Sequence, residues 1–200
     1  MPTGVALRDV REHLFGAAER VLLRDGPSAL TSRAVTTEAG VAKGVLHRHF
    51  ADFDAFLAEL VEDRIARIGR QAAALRDCAG TGTVAGNLAD VLTDLFSSVA
   101  VAIVALITFR DDLRARLRQA GHVGVPLLTK ASAMIASYLT AERDLGRIAA
   151  DADIDTLALT LLGASHLLFA DREGTPPEAA AVGKMVGAVI AGVVREPRPP

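Results

Sequence analysis

Residues 30–50 constrain this chain more than any other stretch. They read Leu30-Thr31-Ser32-Arg33-Ala34-Val35-Thr36-Thr37-Glu38-Ala39-Gly40-Val41-Ala42-Lys43-Gly44-Val45-Leu46-His47-Arg48-His49-Phe50. The grammar is helix, tight turn, helix. The Thr31 hydroxyl can accept one of the free N–H groups at the start of a short helix. Gly40 can stop that helix in a left-handed conformation at little steric cost. A second short helix is expected from near Ala42, held on one side by Val41, Val45, Leu46 and Phe50. Its other side carries Lys43, His47, Arg48 and His49. Small residues at a helix start and basic or hydrogen-bonding residues along its outer face suit a DNA major groove, where phosphates need cations and bases need donors. The stretch therefore reads as a helix-turn-helix with the second helix as reader. Two short helices around a glycine also occur in folds that never touch DNA, and there such cations are simply solvated.

The flanking sequence narrows the choice. The run Leu22-Leu23-Arg24-Asp25-Gly26, then Ala29-Leu30-Thr31, then Ala39 to Leu46, then His49-Phe50, resembles the DNA-binding domain of the tetracycline-repressor (TetR) family of bacterial regulators. The resemblance implies base or phosphate contacts from Arg33, Lys43, Gly44, Val45, His47 and Arg48, and phosphate contacts from Thr31 and His49. Three positions depart from the family pattern. His47 stands where tyrosine is usual, Ala42 where a capping serine is common, and Phe53 where a lysine often follows. The missing serine removes a cap that would contribute roughly 1 kcal/mol, and the missing lysine removes a phosphate contact.

Charge agrees with this placement. Through Phe50 seven cations face five anions, whereas the whole chain has a formal charge of −2, so the basic excess lies at the proposed DNA end. An excess this small predicts salt-sensitive binding and two copies acting together. A single cysteine, Cys78, excludes an internal disulfide framework and fits a reducing cytoplasm, and no signal peptide is visible. The longest uncharged runs, Leu95 to Phe109, Thr156 to Ala170 and Met185 to Val194, fall short of the ~20 residues a membrane span needs. They read as core helices.

Along the chain, helix one is expected over Arg8 to Arg24 and a long helix four, capped by Asp52, to about Asp77. Further helices are expected over Thr83 to Ser97, Val99 to Phe109, from Asp111 through Arg118, Pro126 to Leu145, Ile154 to Arg172 and Pro177 to Arg195. The last is apolar on almost every side, which demands cover on more than one face, either from a second copy or entirely from within its own chain. Leu157, Leu161, Ala164, Val182, Val186, Val189 and Val193 are the candidates for a four-helix interface between two copies, an arrangement the resemblance also implies.

No catalytic constellation is evident. His47 and His49 lie two apart on a helix and point in different directions, so they do not chelate a metal. Asp151, Asp153 and Asp155 read as an acidic turn capping a helix, because Thr156 and Leu162 occupy the positions where a calcium loop needs glycine and glutamate. Ser165 and His166 are helix neighbours and face apart. No motif points to a cofactor. The resemblance implies a small-molecule site within the second half, for which Phe96, Ile103, Phe109, Met134, Tyr138, His166 and Phe169 are the candidates, an apolar set suited to a largely apolar effector.

The expectation is an all-α chain. An N-terminal three-helix helix-turn-helix domain, residues 1–51, joins through a long helix to a helical ligand-binding and dimerisation domain, residues 52–200. Its expected work is that of a cytoplasmic, non-enzymatic transcriptional regulator. It would bind a palindromic double-stranded DNA operator as a homodimer, repress, and be released by a small effector, with no membrane partner. The competing expectation, kept open by the missing serine, tyrosine and lysine, is a helical small-molecule-binding protein whose DNA-reading face has degenerated.

Overall fold

The computed structural model describes residues 4–96, 99–170 and 177–195, with side chains from residue 9 onward. The described residues form ten α-helices: α1 Gly4–Asp25, α2 Ser32–Glu38, α3 Gly44–His49, α4 Phe53–Asp77, α5 Val84–Phe96, α6 Ala100–Phe109, α7 Asp111–Gln119, α8 Pro126–Asp144, α9 Ile154–Ala170 and α10 Ala179–Ile190. The all-helical expectation holds. The one extended pairing among the described residues is an isolated bridge between Ile148 and Val194.

Local chemistry sets many of the boundaries. Thr31 Oγ1 accepts from Ala34 N at 3.1 Å, Asp52 Oδ1 from Ala55 N at 2.6 Å and Thr83 Oγ1 from Gly86 N at 3.0 Å, so the three caps start α2, α4 and α5 as the sequence suggests. Gly40, at φ 66°, makes the turn that releases the chain from α2.

The chain divides into two compact units, Met1–Arg64 with Ala102–Val125, and Ile65–Val101 with Pro126–Pro200. The boundary expected between residues 51 and 52 therefore falls inside the first unit. In that unit α1 buries Leu14, Ala17, Ala18, Val21 and Leu22, and α2 packs across it through buried Val35 and Ala39. Leu46 of α3 and Phe50, which follows it, are buried too, as are Leu57, Leu60 and Val61 of α4 and Leu113 and Leu117 of α7.

In the second unit α9 packs on α8 and α10, and α10 packs on α5. Helix α10 stops at Ile190, short of the Arg195 expected. Beyond it the backbone pairs with another segment: Ala149 N donates to Val193 O and Arg195 N to Arg147 O, both at 2.8 Å. Val193 thus lies in the turn just before the bridge residue Val194 and not on a helix face. The expected end of α9 at Arg172 lies outside the described residues.

Candidate nucleic-acid interface and effector region

The two-helix motif is held from behind by polar clamps. Glu38, near the end of α2, accepts from Arg20 Nε at 2.7 Å and Arg24 Nη1 at 2.8 Å, which holds its carboxyl below the usual range, Arg20 contributing most. His13 Nε2 donates to the Ala39 carbonyl at 2.8 Å, closing the C-terminal end of α2. The Thr36 hydroxyl is buried and donates back to Ser32 O or Arg33 O, at 3.0 and 3.1 Å. The Arg11 guanidinium lies 4.5 Å from the Phe50 ring and pairs with Glu59. None of these clamps is periodic in sequence, which is why reading the chain by helical pattern missed them.

Cations in this unit divide into two groups. Arg11, Arg20, Arg24, Arg64, Arg110, Arg114 and Arg116 all have carboxylate partners. Arg33, Lys43 and Arg48 are exposed and pair with no carboxylate among the described residues, a state shared in this unit by Arg118 of α7. Thr31, Gly44 and His47 are exposed with them, while Val45 and His49 are half-buried. Helix α3 starts at Lys43 without any side-chain cap, in keeping with alanine at position 42, and its first turn is closed by Val45 N donating to Ala42 O at 2.9 Å.

The effector candidates fall into separate groups. In the second unit Phe96 stacks on Phe169 at 5.6 Å and meets the His166 ring at 6.1 Å. The Ser165 hydroxyl, in a residue with no exposed surface, has no partner among the described residues, and neither does His166 Nδ1. Met134 and Tyr138 are buried in α8. Tyr138 is not a free anchor: its hydroxyl donates to Glu142 Oε1 at 2.5 Å and accepts from Asn87 Nδ2 at 2.9 Å. Burial, and then Glu142, push that hydroxyl well above the ordinary tyrosine range. Ile103 and Phe109 belong to the first unit, and Phe109 is 81% exposed, so it cannot line an enclosed cavity within one chain. A cleft of about 200 Å3 in the second unit is lined by none of the seven candidates. Its walls are Gln71, Ala74, Leu75 and Cys78 of the α4 side and Asn87, Asp90, Val91 and Asp94 of α5.

The interface candidates differ in exposure within one chain. Leu161, Val182 and Val186 have no appreciable surface within a single chain, so they are core. Leu157, Ala164 and Val189 are half-buried. The apolar surface of α9 is instead carried by Leu159 and Leu167, 62% and 71% exposed, with exposed Gly163 between them. A helix that is apolar all round does not announce which side meets its own core. Among the described residues no group of three or more metal-ligating side chains converges, and Asp153 caps α9 through Thr156 N at 3.1 Å and Thr156 Oγ1 at 2.7 Å. No single helix there is long and apolar enough to cross a membrane.

Residues 14–60 match the family model described as bacterial regulatory proteins, tetR family. No protein of curated function matches the chain by sequence. Among solved structures, the reduced form of Escherichia coli NemR aligns with TM-score 0.72 at 16% identity, covering 93% of this chain and 98% of that one. A TetR-family transcriptional regulator from Agrobacterium tumefaciens aligns with TM-score 0.71 at 12% identity, covering 94% and 100%. FadR from Bacillus subtilis in complex with stearoyl-CoA aligns with TM-score 0.64 at 17% identity, covering 90% and 98%. At these identities the likeness establishes the fold.

Proposed function

Because this chain carries the N-terminal domain of the tetR family of bacterial regulatory proteins and has the fold of TetR-family regulators throughout, we propose that it is an operator-binding repressor released by a small effector. Arg33, Lys43, Gly44, Val45, His47 and Arg48 meet bases or phosphates, and Thr31 and His49 meet phosphates. The observation that carries this reading is the division of cations: elsewhere in the first unit nearly all are neutralised by carboxylates, whereas those of α2 and α3 are left exposed and uncommitted. Phosphates attract such groups by displacing counterions, so binding weakens steeply with salt. The test is selection from random duplexes with the purified protein, followed by titration of the recovered site with Lys43→Ala plus Arg48→Ala. A pseudo-palindromic site with half-sites about one helical turn apart is expected, and the double variant should lose most of its affinity at moderate salt. Unchanged binding by that variant would remove α3 from the reading role.

Two readers need two chains. The stripe Leu159, Gly163, Leu167 on α9 repeats every fourth residue, an exposed apolar face that a second copy would cover, and Leu157, Ala164 and Val189 are only half-buried within one chain. Effector binding belongs to the second unit, where Phe96, His166 and Phe169 come together beside unsatisfied polar atoms. That a neighbour of the same fold was solved with stearoyl-CoA supports reading this chain as ligand-responsive. Release then requires an effector that favours one separation of the two readers over another by about 1–3 kcal/mol. A chain that bound an apolar ligand tightly yet showed no salt-sensitive DNA affinity would be a binding protein with a lapsed reading face.

A further inference from the structure

Position 53 is a phenylalanine immediately beyond the reader, where the TetR resemblance leads one to expect a phosphate-seeking lysine. The ring is not idle. Phe53 stacks on Phe56 at 5.7 Å with an interplanar angle of 20°, and Phe56 meets Phe50 edge-on at 5.0 Å. Phe50 is the residue that closes α3, in extended conformation at φ −137° and ψ 142°. A run of rings therefore connects position 53 with the end of the reading helix. At its far end lies Arg110, in the junction between α6 and α7, with its guanidinium 5.4 Å from the Phe53 ring and Nη2 3.0 Å from Asp54 Oδ1. Arg116 adds a second tie, its Nη2 2.8 Å from Oδ2 of Asp52, the carboxylate that caps α4. All these residues belong to one compact unit.

We propose that Arg110 is a positioning residue for DNA reading, fixing the α3–α4 corner through Phe53 and Asp54 with Arg116 supporting it at Asp52. The inference rests on the DNA-binding reading above. Its physical content is orientation. Partly exposed ion pairs and single cation–π contacts add little to global stability, but several of them converging on the few residues between Phe50 and Asp54 limit how far the short α3 can swing. A reader held loosely still attracts phosphates, yet it meets base edges less often in register. The phosphate-seeking side chain absent at position 53 has thus been exchanged for a ring that ties the corner to a segment from much later in the chain.

The test uses the full chain, the duplex recovered by selection with the unaltered protein, and a scrambled duplex of equal length. Arg110→Ala should bind the selected duplex about five- to tenfold more weakly, the scale of losing one cation–π contact and one ion pair, and the scrambled duplex about equally. Its slope of log affinity against log salt should not change, and Arg110→Lys, which keeps a cation at the ring, should recover most of the loss. Phe53→Leu, which keeps the apolar volume and removes the ring, should reproduce the Arg110→Ala behaviour and covers the case in which that variant does not fold. Three results would overturn the proposal. One is wild-type affinity in both Arg110→Ala and Phe53→Leu. Another is an equal loss on both duplexes. The third is a salt slope reduced by about one, the sign of a direct phosphate contact. If the unaltered protein prefers no duplex, the DNA-binding reading itself fails, and that failure is visible before any variant is made.

Discussion

Removing the Tyr138 hydroxyl should destabilise the second unit by about 2 kcal/mol, because the hydroxyl is the shortest contact to a buried carboxylate. Glu142 has no exposed surface, and its Oε1 accepts from the Tyr138 hydroxyl at 2.5 Å. Its Oε2 is shared between Gly80 N and Arg147 Nη1, both at 3.3 Å, distances too long to make up for the loss. Asn87 suffers less, since its Nδ2 also reaches Thr81 O at 3.0 Å. A hydrogen bond to a charged group contributes about 1.5–3 kcal/mol, so Tyr138→Phe should lower the melting temperature by roughly 4–8 °C in a chain this size. Urea unfolding of the two proteins measures it directly, and pH supplies an independent reading. Burial raises the tyrosine in the folded protein above its ordinary 10.0, so its contribution is whole below that pH. As pH rises past 10.0 the unfolded chain ionises first, and stability falls until the folded value is reached. This is the chain's single tyrosine, so the difference between the wild-type and Tyr138→Phe alkaline profiles isolates it. A loss below about 0.5 kcal/mol, or superimposable alkaline profiles, would refute the account of Glu142 as a carboxylate dependent on this hydroxyl.

Other perturbations test other steps. Thr31→Ala removes the bond to Ala34 N and should cost about 1 kcal/mol of stability in the first unit, read by urea unfolding, with DNA affinity falling alongside. Gly40→Ala meets no steric neighbour yet must hold φ 66°, so a loss of about 1–2 kcal/mol is expected from backbone strain alone; a neutral result would show that the turn can rearrange. Leu159→Glu with Leu167→Glu alters exposed positions and should leave folding intact while shifting the mass in solution from two chains to one. A dimer that survives this pair would place the interface elsewhere. Asp52 is held below its ordinary 3.8, first by the Ala55 N–H and then by Arg116, so its contribution is present above that pH and disappears as pH falls through the folded value. Acidification should therefore fray the start of α4 in the wild type and change less in Asp52→Asn, an effect visible by amide exchange around Ala55.

Features governed by nearest neighbours were legible in the sequence. Thr31, Asp52 and Thr83 cap the helices they precede, and Gly146, at φ 74°, stops α8 as a glycine after a long amphipathic run should. Features governed by distant partners were not. Arg110 and Asp54 are 56 positions apart and Arg116 and Asp52 are 64 apart, separations at which no periodic signal survives. The end of α10 was misjudged for the same reason. Its residues through Val194 are good helix material by composition, but the backbone of 193–195 pairs with 147–149, and a tertiary hydrogen bond decides where the helix stops.

The same limit explains why the sequence did not separate the buried apolar residues of α9 and α10 from the exposed ones. Leu161, Val182 and Val186 are apolar, as are Leu159 and Leu167, and hydropathy ranks them alike. What separates them is angle. On α9, Leu161 and Leu159 differ by two positions, about 200° around the helix, so a face that packs against α8 and α10 must turn the other outward. The outward set Leu159, Gly163, Leu167 keeps i, i+4 spacing, and its middle member has no side chain, so a helix crossing there could approach closely. An exposed glycine in a helix interior lowers stability by up to ~1 kcal/mol relative to alanine, a cost offset if a second copy's helix lies against it. Gly163→Leu should therefore leave the single chain folded while pushing two copies apart, whereas Gly163→Ala should stabilise the chain and weaken association only slightly. A dimer equally tight in all three proteins would mean that nothing approaches this stripe.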